Sequence, residues 1–192
     1  MKENIDKEIQ YYRSAGLRKQ GFSYYRINKL VADGTLKKIN HTTYENTSCK
    51  ADNAFYKAFA YVPTGVICLM SAARYYGLTD FIPDAIDVAI QRKERVSTLP
   101  ADTEIALYYF SSDRMRIGRV CFEKNGNQFE IFNLEKTVID IVYYRNKIGI
   151  EETGEIIRNY ICRKDKNLNL LYRYAKLLRC EKIIRTYMEV LL

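Results

Sequence analysis

The side chains best suited to recognition chemistry lie between Ser23 and Thr43. Ser23 is followed by Tyr24, Tyr25, Arg26, Asn28 and Lys29, and after these come Lys37, Lys38, His41 and Thr43. A guanidinium such as Arg26 matches the acceptor pair of guanine, and a carboxamide such as Asn28 matches the donor and acceptor of adenine. Tyrosine hydroxyls and a lysine ammonium suit phosphate oxygens, which fix register without reading sequence; Tyr24, Tyr25 and Lys29 fit that role. On a helix capped by Ser23 these residues share a polar face, while Ile27, Leu30 and Val31 form the buried stripe. Lys37, Lys38, His41 and Thr43 fall on a hairpin beyond Gly34, a second contact element beside the helix.

Other residue sets do not assemble catalytic chemistry. Pro83-Asp84, Asp87 and the stretch Val88–Lys93 resemble the acidic pattern of metal-dependent nucleases, but Gln91 stands where the second carboxylate belongs, and an amide is a poorer ligand for magnesium. A nucleic-acid-modifying enzyme guided by the N-terminal module is therefore the alternative reading. Asp84 and Asp87 read more simply as turn and strand-edge residues. Lys136 and Asp140, four apart, are expected to pair on a helix surface for a few tenths of a kcal/mol. The single histidine, His41, and five cysteines without Cys-x-x-Cys spacing argue against a zinc site, and a serine triad could be built only through His41 in the N-terminal module, so no cofactor is expected.

The elements that must position the polar face follow from spacing and punctuation. Ile5, Ile9 and Tyr12 predict a helix over 4–13. Ser14 caps a second helix running to Gln20, Gly21 ends it, and Ser23 caps the candidate recognition helix, Tyr24 to Ala32. Leu36 to Asn40 is a strand, His41-Thr42-Thr43 a tip, and Tyr44 opens the return strand. A polar stretch, 46–52, separates this module from helices expected near 53–61 and up to Gly77. Strands are predicted at Ile86–Gln91, Ile105–Phe110, Arg119–Lys124 and Gln128–Phe132, the last two joined by the hairpin signal Asn125-Gly126. Helices follow at 134–144, 151–162, 168–178 and 181–191. This order predicts an α+β fold: an N-terminal winged helix-turn-helix over residues 1–50, then over 51–192 a mixed-sheet domain of four strands with C-terminal helices.

Charge agrees with a polyanionic partner. Residues 1–50 hold ten Lys and Arg against five Asp and Glu, residues 51–150 are balanced, and 151–192 hold nine against six. The polar start, Met1 to Arg13, is unlike a signal peptide. No apolar run is long enough to span a membrane, so a cytoplasmic protein with reduced thiols is expected.

Several segments together resemble the AbiEi family, antitoxins of type IV toxin–antitoxin systems. Leu17 through Tyr44 is similar to the family's winged helix, including the step Leu30-x-x-x-Gly34-x-Leu36. Pro63 through Asp80 carries Ser71-Ala72-Ala73 and then Tyr76-Gly77-Leu78-Thr79-Asp80, and Glu135-Lys136-Thr137-x-x-Asp140 matches the start of a family helix. The resemblance implies a non-enzymatic transcriptional autorepressor of an abortive-infection, phage-defence operon. Its N-terminal domain would bind repeats in its own promoter. Its C-terminal domain would counteract a nucleotidyltransferase-like toxin, without a required stable complex. One departure stands out: the tip Asn40-His41-Thr42-Thr43-Tyr44 lacks the glycine that family wings carry before the aromatic residue.

Overall fold

The computed structural model describes residues 5–50, 53–96, 99–101 and 104–191. Among the described residues, ten helices accompany two separate sheets, a mixed α and β arrangement consistent with α+β.

The first sheet is antiparallel in the order β1-β3-β2, from β1 (Tyr11–Arg13), β2 (Leu36–Lys38) and β3 (Thr43–Asn46). Between β1 and β2 run α1 (Ser14–Lys19) and α2 (Tyr24–Ala32). Tyr12, Leu17, Phe22, Ile27, Leu36 and Tyr44 form a core of their own beneath these helices. Gly21, at φ +94°, makes the reversal after α1, and the Phe22 amide donates to the Leu17 carbonyl at 3.0 Å.

The helix expected over 4–13 does not form. Asn4 lies outside the described residues, 5–10 contain a turn, and 11–13 are β1. Ile5, Ile9 and Tyr12 do pack inward, as their spacing requires, but a turn and a strand carry them. Two contacts settle the competition. Tyr12 pairs with Tyr44 across β1 and β3, and its phenol both accepts from the Asp6 amide at 2.9 Å and donates to the Asp6 carbonyl at 3.1 Å.

The second sheet has the order β6-β5-β4-β8-β7, from β4 (Val66–Ile67), β5 (Ile86–Gln91), β6 (Ile105–Phe110), β7 (Arg119–Lys124) and β8 (Asn127–Phe132). It is mixed: β5/β6 and β4/β8 are parallel, β4/β5 and β7/β8 antiparallel. The fifth strand, beyond the four expected, is β4, two residues from the apolar run that precedes α4 (Leu69–Tyr75).

Both faces of this sheet are covered. Val66, Ala89, Phe110 and Phe132 share a core with α6 (Leu134–Tyr143), α8 (Ile150–Cys162), α9 (Leu168–Leu177) and α10 (Glu181–Leu191). Ile67, Val88, Ile90 and Ile131, the alternate residues, pack with Ala58 of α3 (Ala54–Tyr61). The short helix α5 (Ser112–Arg116) lies between β6 and β7 in the chain, and the short helix α7 (Arg145–Ile148) follows α6. Among the described residues, no helix is long and apolar enough to cross a membrane.

The β7–β8 turn ties the two sheets together. Asn125 and Gly126 have φ of +51° and +75°, the left-handed pair that a two-residue hairpin needs. Asn127 accepts from the Gln10 amide and donates to the Glu8 carbonyl, both at 2.7 Å, and Asn125 donates to the Glu8 carboxylate at 2.7 Å. The approach is close enough that a Cβ on Gly126 would lie 2.8 Å from Ile9 Cδ1.

Candidate nucleic-acid interface

Helix α2 starts where a serine can stop its amides from going unpaired. Ser23 Oγ accepts the Arg26 amide at 3.2 Å, and the first turn contains no acidic residue, so the positive end of the helix is not neutralised from within. Ile27 is fully buried, which fixes the rotation of the helix and turns Tyr24, Tyr25, Arg26, Asn28 and Lys29 to solvent. Tyr24 is 61% and Tyr25 80% exposed, high values for large apolar rings. A shallow hollow of about 480 Å³ lies among Ser23, Tyr25, Arg26 and Lys29. At its rim, hydrogen bonds from Thr35 hold the Asp33 carboxyl below its usual range.

One cation on this surface is absent from the set read in sequence. Arg18, in the last turn of α1, lies with its guanidinium 4.4 Å from the centre of the Tyr24 ring. Arg26 similarly lies 5.2 Å over Phe22. The signal for Arg18 was the helix–turn–helix spacing itself: a tight turn at Gly21 brings the end of α1 against the start of α2.

The hairpin presents Lys37 and Lys38, both exposed. Lys37 Nζ is 3.7 Å from Glu45 on β3, so part of its charge is already answered. The tip needs no glycine. Asn40 Oδ1 accepts from the Thr42 amide at 3.0 Å and from its hydroxyl at 3.2 Å, the Ile39 amide donates to the Thr43 carbonyl at 3.0 Å, and no tip residue takes positive φ. Asn40 also donates to the Ala60 carbonyl at 3.4 Å, which leans the tip on α3. His41 is exposed. Thr43 does not belong with these contacts: it is 1% exposed, on the outer face of β3 where α3 covers it, and cannot reach a nucleic acid.

Two further sequence readings require correction. Lys136 and Asp140 do pair, but each is 0% exposed, and the pair is a buried cluster rather than a surface bridge. Helix α6 is enclosed by sheet and helices, so its polar stripe is buried along with its apolar one. Arg114 of α5 completes the cluster, with Nη1 2.9 Å from Asp140 Oδ1, Nη2 donating to the Leu178 carbonyl at 3.4 Å, and the guanidinium 3.5 Å over Tyr143. Lys136 Nζ sits 4.1 Å over the Phe132 ring. Burial pushes the Asp140 carboxyl up and the Lys136 ammonium down, each against the pull of the other's charge. Neighbouring Glu135 is also buried; it accepts from the Asn167 amide at 3.0 Å and holds the start of α9.

Asp87 is likewise no strand-edge residue. It lies 5% exposed in β5, with one carboxylate oxygen accepting the Ser71 amide of α4 at 3.2 Å while its own amide donates to Ser71 Oγ at 2.9 Å. Burial raises its carboxyl despite the backbone amides of Ser71 and Met70 and the Tyr108 hydroxyl. Asp84 is exposed, and Gln91 donates to Ser112 at 3.1 Å. Among the described residues, no three His, Cys, Asp or Glu side chains gather closely enough to hold a metal ion.

A scan of protein-family models yields no match to this chain, and a search of curated proteins yields none.

Proposed function

We propose that residues 1–50 act as a winged helix-turn-helix that binds double-stranded DNA, with α2 in the major groove and the β2–β3 hairpin beside it. The observation that carries this reading is the exposed face Tyr24, Tyr25, Arg26, Asn28 and Lys29 on a helix whose rotation is fixed by buried Ile27. Arg26 and Asn28 are the base readers; Tyr24, Tyr25, Lys29, Lys38 and Arg18 hold phosphates, with Ser23 setting the start of the helix. His41 is a peripheral contact at the tip, and Lys37 a weakened one.

From the resemblance stated above, the proposal extends to an autorepressor that acts on repeats in its own promoter and antagonises a nucleotidyltransferase-like toxin through residues 51–192. An electrophoretic shift with the DNA upstream of its own reading frame tests the first half. Binding there should exceed binding to unrelated duplex, and Arg26→Ala should lose about 1–3 kcal/mol on that site alone. Equal loss on every sequence would reduce Arg26 to a phosphate contact. Co-expression with an adjacent nucleotidyltransferase-like gene tests the second half: growth should recover when this chain is present. Failure there removes the antitoxin assignment and leaves the DNA assignment standing.

A further inference from the structure

A cleft of about 350 Å³ lies where β5 and β6 meet α4, α7 and the start of α8, within the size range of sites for small organic ligands. Met70 and Ile148, both half-buried, give it apolar walls, and Phe81, 56% exposed, stands at its mouth. Asp87 lines it as well. The Asp87 main chain is closed on both sides, its amide by Ser71 Oγ at 2.9 Å and its carbonyl by the Cys68 amide at 3.0 Å, so the 5% of the residue that stays exposed falls to its side chain. Three donors reach the carboxylate, the amides of Met70 and Ser71 and the Tyr108 hydroxyl, against about four acceptor sites. All three donors are neutral. Among the described residues, no lysine or arginine forms an ion pair with Asp87, whereas buried Asp140 has two cations. At the rim Asp84, Glu152 and Lys147 are exposed, and Lys147 Nζ lies 5.9 Å from the centre of the Tyr144 ring. Three carboxylates to one ammonium make this a negative cleft on a chain of net charge +8.

We propose that this cleft binds a small organic cation: an amidine or primary amine carried on an aromatic ring. The cationic head donates to Asp87 and to the phenolic oxygen of Tyr108, which gives its own proton to Asp87, while the ring lies among Phe81, Met70 and Ile148. The charge of the ligand then supplies the counterion that the fold does not. This inference does not depend on DNA binding; its residues all lie beyond the N-terminal module.

Titration calorimetry and amide chemical-shift mapping on the full chain test it, with benzamidine as the cationic probe and benzamide as its neutral counterpart of the same shape. Benzamidine should bind with a dissociation constant below about 1 mM and shift the amides of Met70, Ser71 and Tyr108, and benzamide should bind about tenfold more weakly or worse. Asp87→Asn keeps the size of the side chain and removes its charge, so it should weaken benzamidine about tenfold and bring the two probes level. Phe81→Ala changes an exposed ring that the fold does not need, so it keeps the test decisive if Asp87→Asn disturbs folding; it should weaken benzamidine about threefold. Lack of benzamidine binding at about 1 mM, equal affinity for the two probes in the wild type, shifts confined to residues outside the cleft, or binding indifferent to both substitutions would each overturn the inference.

Discussion

Asp140→Asn, compared with Lys136→Met, separates a buried charge cluster from a surface bridge. Asp140 lies between two cations: Arg114 Nη1 is 2.9 Å away and Lys136 is paired with its other oxygen, all three side chains being at most 9% exposed. Neutralising Asp140 leaves two positive charges facing each other without a counterion. Breaking a buried pair in this way costs about 3–5 kcal/mol, a large share of the roughly 5–15 kcal/mol that holds an ordinary domain folded. Lys136→Met instead leaves Arg114 and Asp140 as a balanced pair, and the thioether replaces an ammonium already lying on the rings of Phe132 and Phe110. Its cost should be at least about 2 kcal/mol smaller, since a buried charge is exchanged for apolar packing of similar volume. Urea unfolding measures both, as shifts of midpoint at constant slope. The reasoning is refuted if Asp140→Asn costs under about 1 kcal/mol, the value of a surface bridge, or if the two variants cost the same.

Gly126→Ala should destabilise the chain by about 1–3 kcal/mol, because φ is +75° there and the new Cβ would meet Ile9 Cδ1 at 2.8 Å; thermal unfolding checks it, and a neutral result would mean the turn does not bear on the first sheet. Asp87 makes stability depend on pH with a defined sign. Its carboxyl is raised by burial, so between the ordinary carboxylate value near about 4 and the higher native one the folded state holds the extra proton, and stability falls as pH rises through that window. Asp87→Asn should remove this slope, so that the wild type loses ground to the variant above about pH 4 and the difference then levels off; a difference that is flat or of opposite sign contradicts the assignment.

Local signals in the sequence located most elements. Ser23 caps the helix that follows it, whereas Ser14 is the first residue of α1 and not its cap, and Asn125-Gly126 makes the tight hairpin that its residue types demand. What escaped was set by partners distant in the chain. Residues 11–13 become a strand because β3 arrives thirty residues later, and nothing within 4–13 announces that pairing. Strand β4 has two residues, too few for alternation to register. The spacing of Lys136 and Asp140 states that they share a face of α6, but not that this face meets Arg114 from α5 rather than water. Asp87 was misplaced for a related reason: a carboxylate in a strand reads as an edge, whereas here it receives amides from α4 at the interior of the sheet. On the candidate interface, the five polar positions of α2 were legible because helical periodicity separates them from Ile27. Thr43 was not, since hairpin alternation does not reveal that α3 lies against the outer side of the sheet.

The central claim is that the exposed face of α2 binds DNA, and fluorescence anisotropy with a labelled duplex from upstream of the chain's own reading frame, titrated from 50 to 200 mM salt, tests it most directly. With Arg18, Lys29 and Lys38 as the phosphate cations, affinity per chain should fall roughly 40-fold across that range, and Arg26→Ala should narrow the preference over scrambled duplex by about 1–3 kcal/mol. Absence of binding at 50 mM salt, or binding that is indifferent to salt and to substitutions from Tyr24 to Lys29, would contradict it.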